Sequence, residues 1–348
     1  MHIARTTDGS TPLPNEIAVT GGCGFIGRHL VTTLAATGRH VIVLDMAEPP
    51  PELADLADIE HRRADLRDHD QTKSALKGAE AVFHLAGNAS GARSVAEPRF
   101  DFQANGLATC NVGDACRESS VRRLVYLSSA IVYGTPLTSP ITEEHPTRPF
   151  LPYGASKLSG ELVLRSLHDS AGLPVVIGRS FVVYGPGEDP RTAGGEVSQF
   201  LRWQLNDRPI PVVGDIDGKT RDFISVLDVC SALVTLAERG ADGEIYNIGT
   251  GREVSMGELA DAVGRVTGRP ARLDVDPSRS EDSFRLVADV SKLSALGFRP
   301  RVPLESGIRE LAGHLGPHPE LPAATAVFRR EPVGTAPAPG GCQEPAPC

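Results

Sequence analysis

The chain has 348 residues, 40% of them hydrophobic, with 36 Gly, 28 Pro and a formal net charge of -9. That length can bury one large core and a smaller companion. An acidic balance without a long basic stripe disfavours a nucleic-acid partner. No stretch of about 18 apolar residues spans a membrane, and no apolar signal core follows the N-terminus. The six cysteines have neither disulfide-framework nor zinc spacing, so reduced thiols, no metal and a cytoplasmic setting are expected.

Residues 1–14 are polar and read as a frayed leader. Ile17 to Val19 then form an apolar strand that runs into V19-T-G-G-C-G-F-I-G-R28 and an apolar helical pattern. Strand, glycine turn and helix in that order let a pyrophosphate approach the backbone at Gly21, Gly24 and Gly27, where the helix start offers unpaired N–H groups. Asp45 closes the next apolar run, V41-I-V-L44, near the distance expected for a carboxylate that holds the adenosine ribose of NAD.

Short apolar runs predict strands at 17–20, 40–44, 58–62, 81–85, 121–128 and 174–179. Amphipathic stretches predict helices at 25–37, 70–76, 100–118 and 154–171. Such alternation specifies an α/β fold: a Rossmann-like parallel sheet with helices on both faces, its ligand beyond the carboxyl ends of the strands. Composition changes at Tyr184-Gly-Pro-Gly187, and 187–220 is rich in Gly, Pro and Asp around a helical stretch, 194–205. A core-like pattern resumes at F223-I-S-V-L-D. A strand is expected at 245–248, with helices at 254–266 and 289–296. The implied division is an NAD-binding domain, 15–186 plus 222–250, and a smaller mixed α/β substrate-binding domain, 187–221 plus 251–320. The Ala-, Pro- and Gly-rich tail, 321–348, is expected to be disordered.

Tyr153 and Lys157 lie four apart at the start of a predicted helix, on one face. A lysine ammonium and an oxidised nicotinamide would both favour the tyrosine phenolate, which could take a proton from a substrate hydroxyl while hydride leaves the same carbon. The run Y126-L-S-S-A-I-V-Y-G134 ends a strand with adjacent serines. Ser129 is the expected donor to the oxygen whose charge changes, with Ser128 the alternative.

These pieces, with H84-L-A-G87, Y153-G-A-S-K157, R221-D-F223 and the segment around Arg279, resemble the extended short-chain dehydrogenase/reductase family in its nucleotide-sugar epimerase branch, over about 16–315. The resemblance implies that Phe25 and Ile26 close the glycine turn on NAD. It also implies that Asp65 and Leu66 flank adenine, that Leu85, Ala86 and Gly87 line the cofactor, and that Asn105 is the asparagine of the central helix. Tyr153 and Lys157 would touch the cofactor as well. It further implies a homodimer through helices at about 100–118 and 154–171.

On the substrate side the resemblance implies a nucleotide-diphosphate sugar, a UDP-hexose in preference to a dTDP-sugar. Arg221 and Arg279 would hold the diphosphate and Arg93 is a third candidate, while Ser129 and Tyr153 would meet the sugar. Two departures stand out. Val182 replaces a common asparagine, so a hydrogen bond to substrate is lost or replaced, and Glu281 replaces a common glycine. Asp228 is expected to be structural. Dehydratases of the family place an Asp–Glu pair after the catalytic Ser or Thr, and decarboxylating members a glutamate at the place of Ile131. Ala130 and Ile131 can move no proton. The expected reaction is therefore NAD-dependent epimerisation at sugar carbon 4 through a transient 4-keto intermediate. A 4-ketoreductase or dehydrogenase using NAD(P)(H) is the alternative, and a non-enzymatic NAD-binding protein is disfavoured by the intact Ser129, Tyr153 and Lys157.

Overall fold

The structure, a computed structural model, describes residues 11–119, 121–190, 195–277 and 284–321. Six strands, β1 (Glu16–Thr20), β2 (His40–Asp45), β3 (Ile59–Arg63), β4 (Ala81–His84), β5 (Arg123–Ser129) and β6 (Val175–Ser180), join Ile245–Ile248 in one sheet. The spatial order is Ile245–Ile248, β6, β5, β4, β1, β2, β3, and every neighbouring pair is parallel. The central strands are apolar at nearly every position because both faces are covered: Ile17 and Val19 enter one buried cluster, Ala18 the other.

Strand order reverses between β1 and β4, so the loops after these neighbours part and leave a crevice at their carboxyl ends. The glycine turn and the Leu85–Gly87 segment lie there side by side. A Cβ at Gly21 would come within 2.8 Å of the Ala86 backbone, at a positive φ of 67° that favours glycine.

The helix Pro152–Ala171 carries Pro at its start and ends on Gly172 in the left-handed conformation. The predicted helix at 100–118 is present and runs on from Pro98–Phe102 through a π-helical turn, Gln103–Leu107, into Ala108–Glu118. The turn is held from its side chains: Thr109 donates to the Asn105 carbonyl (2.5 Å), while the Asn105 amide is drawn sideways to Ser156 (2.9 Å). Strands Ile210–Val213 and Leu273–Asp276 and the helix Leu304–Leu315 were not foreseen. A separate apolar cluster gathers Val197, Leu201, Ile210, Leu259, Val263, Ile308 and Leu311. The predicted tail falls outside the described residues beyond 321.

Candidate active site

The helix Phe25–Ala35 begins at Gly24 with no side-chain cap and no acidic residue in its first turn, which leaves its first N–H groups open to an anion. Gly27 lets this helix sit on the turn: a Cβ there would lie 2.1 Å from the Gly21 carbonyl oxygen. Asp45, at the end of β2, accepts the Cys23 N–H (3.0 Å) on one oxygen and the Ala47 N–H (3.0 Å) on the other. Its carboxylate is thereby fixed at the edge of the cradle, where it fits a ribose diol and opposes a 2′-phosphate. Asp65 is gripped by Arg67 through both oxygens (2.9 and 2.6 Å), which holds its carboxyl below the usual range. Leu66 is buried in the core of that face. Phe25 and Ile26 border the neighbouring pocket, and Gly87 is exposed at its own strand end.

Beyond β5 and β6 opens a cleft of about 340 Å³, lined by Ser129, Tyr153, Val182, Glu196, Lys219 and Arg221 among others. Burial pushes the pKa of the Tyr153 phenol up, and the Ser129 hydroxyl, which lines the same cleft, acts in the opposite direction, toward phenolate. Lys157, one turn further along the same helix, is only 5% exposed. Its Nζ donates to the Leu127 carbonyl (3.0 Å), and burial pushes its pKa down to about 8. Ser128 is not equivalent to Ser129. It is buried and donates to Glu161 (2.5 Å), whose carboxylate also takes Arg179 at 2.6 Å. Breaking so deeply buried a pair costs about 3–5 kcal/mol, so Glu161 and Arg179 brace the helix Pro152–Ala171 against β5 and β6.

The arginines read from the sequence part ways. Arg221 borders the pocket, buried, with Nε on Glu196 (3.2 Å) and Nη1 on the Phe284 carbonyl (2.9 Å). Arg93 does not border it: its guanidinium lies 3.7 Å from the centre of the Phe100 ring and pairs with Glu97 at 3.3 Å. One turn of the short helix Gly91–Ala96 carries it outward, while Gly91 itself faces the cleft. Arg279 and Glu281 lie outside the described residues. Val182 borders the cleft as an apolar wall. Asp228 clamps the Arg301 and Val302 N–H groups (2.9 and 3.0 Å), a structural part.

Asn105 is fully buried. Its amide NH2 reaches Ser156, the Asp101 carboxylate (3.1 Å) and the Asn88 carbonyl (3.2 Å), while its Oδ1 has no partner and faces Gly87. An orphaned acceptor beside the cradle is what a bound polar ligand satisfies. Sequence reasoning missed Asp101, Glu161, Glu188 and Glu196. The first two had a signal: Asp101 stands four before Asn105 and Glu161 four after Lys157, on shared helical faces. Glu188, pushed up to about 8 by burial, accepts the Gly185 N–H at 2.9 Å in the cleft wall.

Residues 17–249 match the model of the NAD dependent epimerase/dehydratase family. The chain belongs to that family. Membership of the NAD-dependent epimerase/dehydratase family agrees with the nucleotide-sugar epimerase resemblance read from the motifs. A putative UDP-glucose 4-epimerase from Methanocaldococcus jannaschii is 35% identical over 297 residues, 85% of this chain and 96% of the relative. A dTDP-glucose 4,6-dehydratase from Streptomyces niveus is 31% identical, with 85% and 91% covered. The crystal structure of the Thermotoga maritima UDP-glucose 4-epimerase with UDP-glucose superposes with a TM-score of 0.80 at 31% identity, covering 86% of this chain and 98% of that one.

Proposed function

We propose that this family member is an NAD-dependent 4-epimerase of a nucleotide-diphosphate hexose, a UDP-sugar, working through a transient 4-keto sugar. The observation that carries this reading is that Ser129, Tyr153 and Arg221 line one cleft together with Phe25 and Ile26 of the open glycine cradle, with Lys157 one helical turn behind Tyr153. Bound NAD would lie on Gly21, Gly24, Phe25, Ile26 and Gly27, with Asp45 on its ribose and Leu85, Ala86, Gly87 and Asn105 along its path; it supplies a reversible hydride acceptor. The chain's own part is to move one proton and steady one charge. Tyr153, as phenolate, takes the sugar hydroxyl proton. Ser129 donates to the same oxygen as it becomes a carbonyl. The Lys157 ammonium favours the phenolate and holds the cofactor ribose. Arg221 and Arg279 hold the diphosphate.

Epimerisation is favoured over dehydration because Ala130 and Ile131, beside Ser129, carry no acid or base to expel water. Residues 187–221 and 251–320 supply the nucleotide end of the cleft, a role supported by their own apolar cluster. A homodimer fits the exposed Val95, Phe102, Leu107 and Leu162 on the central helices, and a cytoplasmic setting fits the free thiols of Cys23, Cys110, Cys116 and Cys230.

The test incubates the protein with UDP-glucose, UDP-N-acetylglucosamine and UDP-glucuronate without added coenzyme. Carbon-4 epimers are expected, and Tyr153→Phe should lose at least about 100-fold in rate while retaining NAD. Net NADH formation in place of isomers would refute the epimerase and leave the dehydrogenase.

A further inference from the structure

Asp101 has no solvent exposure and sits outside the set of residues that face the cleft. Three donors converge on its carboxylate. Asn88 Nδ2 lies at 2.7 Å, Asn105 Nδ2 at 3.1 Å and the Ser156 hydroxyl at 2.6 Å. They come from three different parts of the site. Asn88 follows the Leu85–Gly87 segment, Asn105 belongs to the π-helical turn, and Ser156 immediately precedes Lys157. All three donors are neutral, and no lysine or arginine among the described residues is ion-paired with Asp101. A fully buried carboxylate without a direct cation is costly unless an opposite charge lies close by.

The charges around Lys157 show where that opposite charge is. On its own helix stand Tyr153 and Glu161. From β5 come the Leu127 carbonyl and the Tyr126 ring, 5.0 Å from Nζ. From β4 comes His84, which burial and the lysine's charge hold neutral. From Pro98–Phe102 comes Asp101. Glu161 is already matched by Arg179 at 2.6 Å. Two cations, Lys157 and Arg179, therefore face two carboxylates, and Asp101 is the one left to Lys157. Of the two, Asp101 also acts more strongly on the lysine.

We propose that Asp101 is the counter-charge that keeps the buried Lys157 an ammonium, acting as a positioning residue through Asn105 and Ser156 and not as a catalytic one. Its amide-and-hydroxyl shell ties the carboxylate to Asn105, whose Oδ1 converges with Lys157 Nζ under Gly87, without a direct salt bridge to the lysine. The π-helical turn is the geometric device that allows this. It brings the Asn105 side chain across to both Asp101 and Ser156, an insertion of the kind found at functional sites. The inference rests on Tyr153 and Lys157 being the hydride-transfer pair, but its test does not require the sugar to be right.

The test is the titration of Lys157 by NMR in full-length, NAD-loaded protein labelled with 13C at lysine Cε. The chain has five lysines, Lys73, Lys77, Lys157, Lys219 and Lys292, so the buried one is assignable by Lys157→Arg. The wild-type lysine is expected to stay protonated through neutral pH. In Asp101→Asn, whose amide oxygen can still accept from Asn88 and Asn105 and whose NH2 can meet Ser156 Oγ, the midpoint should fall by about one unit. In Ser156→Ala, which removes a hydrogen bond but no charge, it should stay in place. Equal midpoints in wild type and Asp101→Asn, or an equal shift in Ser156→Ala, overturn the proposal. If Asp101→Asn does not fold, the wild-type titration decides: a midpoint below neutrality overturns it, and one above neutrality supports it. Absence of sugar turnover in the wild-type protein, alongside the expected lysine shift in Asp101→Asn, would instead fault the substrate assignment.

Discussion

Replacing Gly27 by alanine tests the cradle where the geometry is tightest. The added Cβ would lie 2.1 Å from the Gly21 carbonyl oxygen and 2.8 Å from the Gly22 Cα, both backbone atoms of the turn itself. No side-chain rotation relieves such a contact, so the helix Phe25–Ala35 and the turn must separate by roughly an ångström. Forced overpacking of this kind costs about 1–3 kcal/mol. The same displacement carries the open N–H groups of the helix away from the anion they face. If the whole strain falls on the ligand-binding conformation, NAD affinity drops on the order of 10- to 100-fold, at tenfold per 1.4 kcal/mol. The assay is NAD retention after purification followed by fluorescence titration, with urea unfolding in parallel to separate weak binding from loss of fold. Gly313→Ala is the control. A Cβ there meets nothing within 4 Å, and the position is helical, so NAD binding should be unchanged and stability slightly raised. A folded Gly27→Ala protein that binds NAD within about threefold of wild type would show that the turn yields without cost, and the close-packing account would fail.

The adjacent serines should separate cleanly. Ser129→Ala should lower kcat by about 100-fold or more with little change in stability, whereas Ser128→Ala should act mainly on stability through Glu161, read by urea unfolding; a reversed pattern would contradict the site geometry. His84 gives a pH dependence. It is buried between Thr20 (2.7 Å) and Thr109 (2.9 Å), and burial pushes its pKa down to about 3 from 6.5. The folded state therefore refuses a proton that the unfolded chain accepts. Its full contribution is present above the unfolded value and fades as pH falls from about 6.5 toward 3, with a slope of about 1.4 kcal/mol per pH unit. Unfolding free energies measured across that window should lose this component of the slope in His84→Gln, and an unchanged slope would place the proton uptake elsewhere.

Much of the architecture was legible because period and punctuation are local. Alternating apolar runs fixed β1 to β6 within a residue or two, and the glycines of the turn marked the crevice before any strand order was known. Tyr153 and Lys157 declared their shared face by spacing alone. The π-helical turn within the central helix was not legible, because its Asn105 bonds Ser156 and Asn88, which belong to other segments, and local propensity has no knowledge of them. Arg93 shows the same limit from the other side. A basic residue after a strand end reads as a ligand contact, yet one helical turn sends it outward onto Phe100 and Glu97.

The order of residues thus determined which chemical groups the chain carries: a phenol, an amine, a hydroxyl, a glycine turn and a carboxylate at the end of the next strand. The tertiary structure decided which of two adjacent serines lines the cleft with the phenol, whether Arg93 or Arg221 reaches that cleft, and which buried carboxylate balances the lysine. Those choices depend on direction, burial and the charges brought near from separate elements, and these exist only once parallel strands have aligned the ends of distant segments.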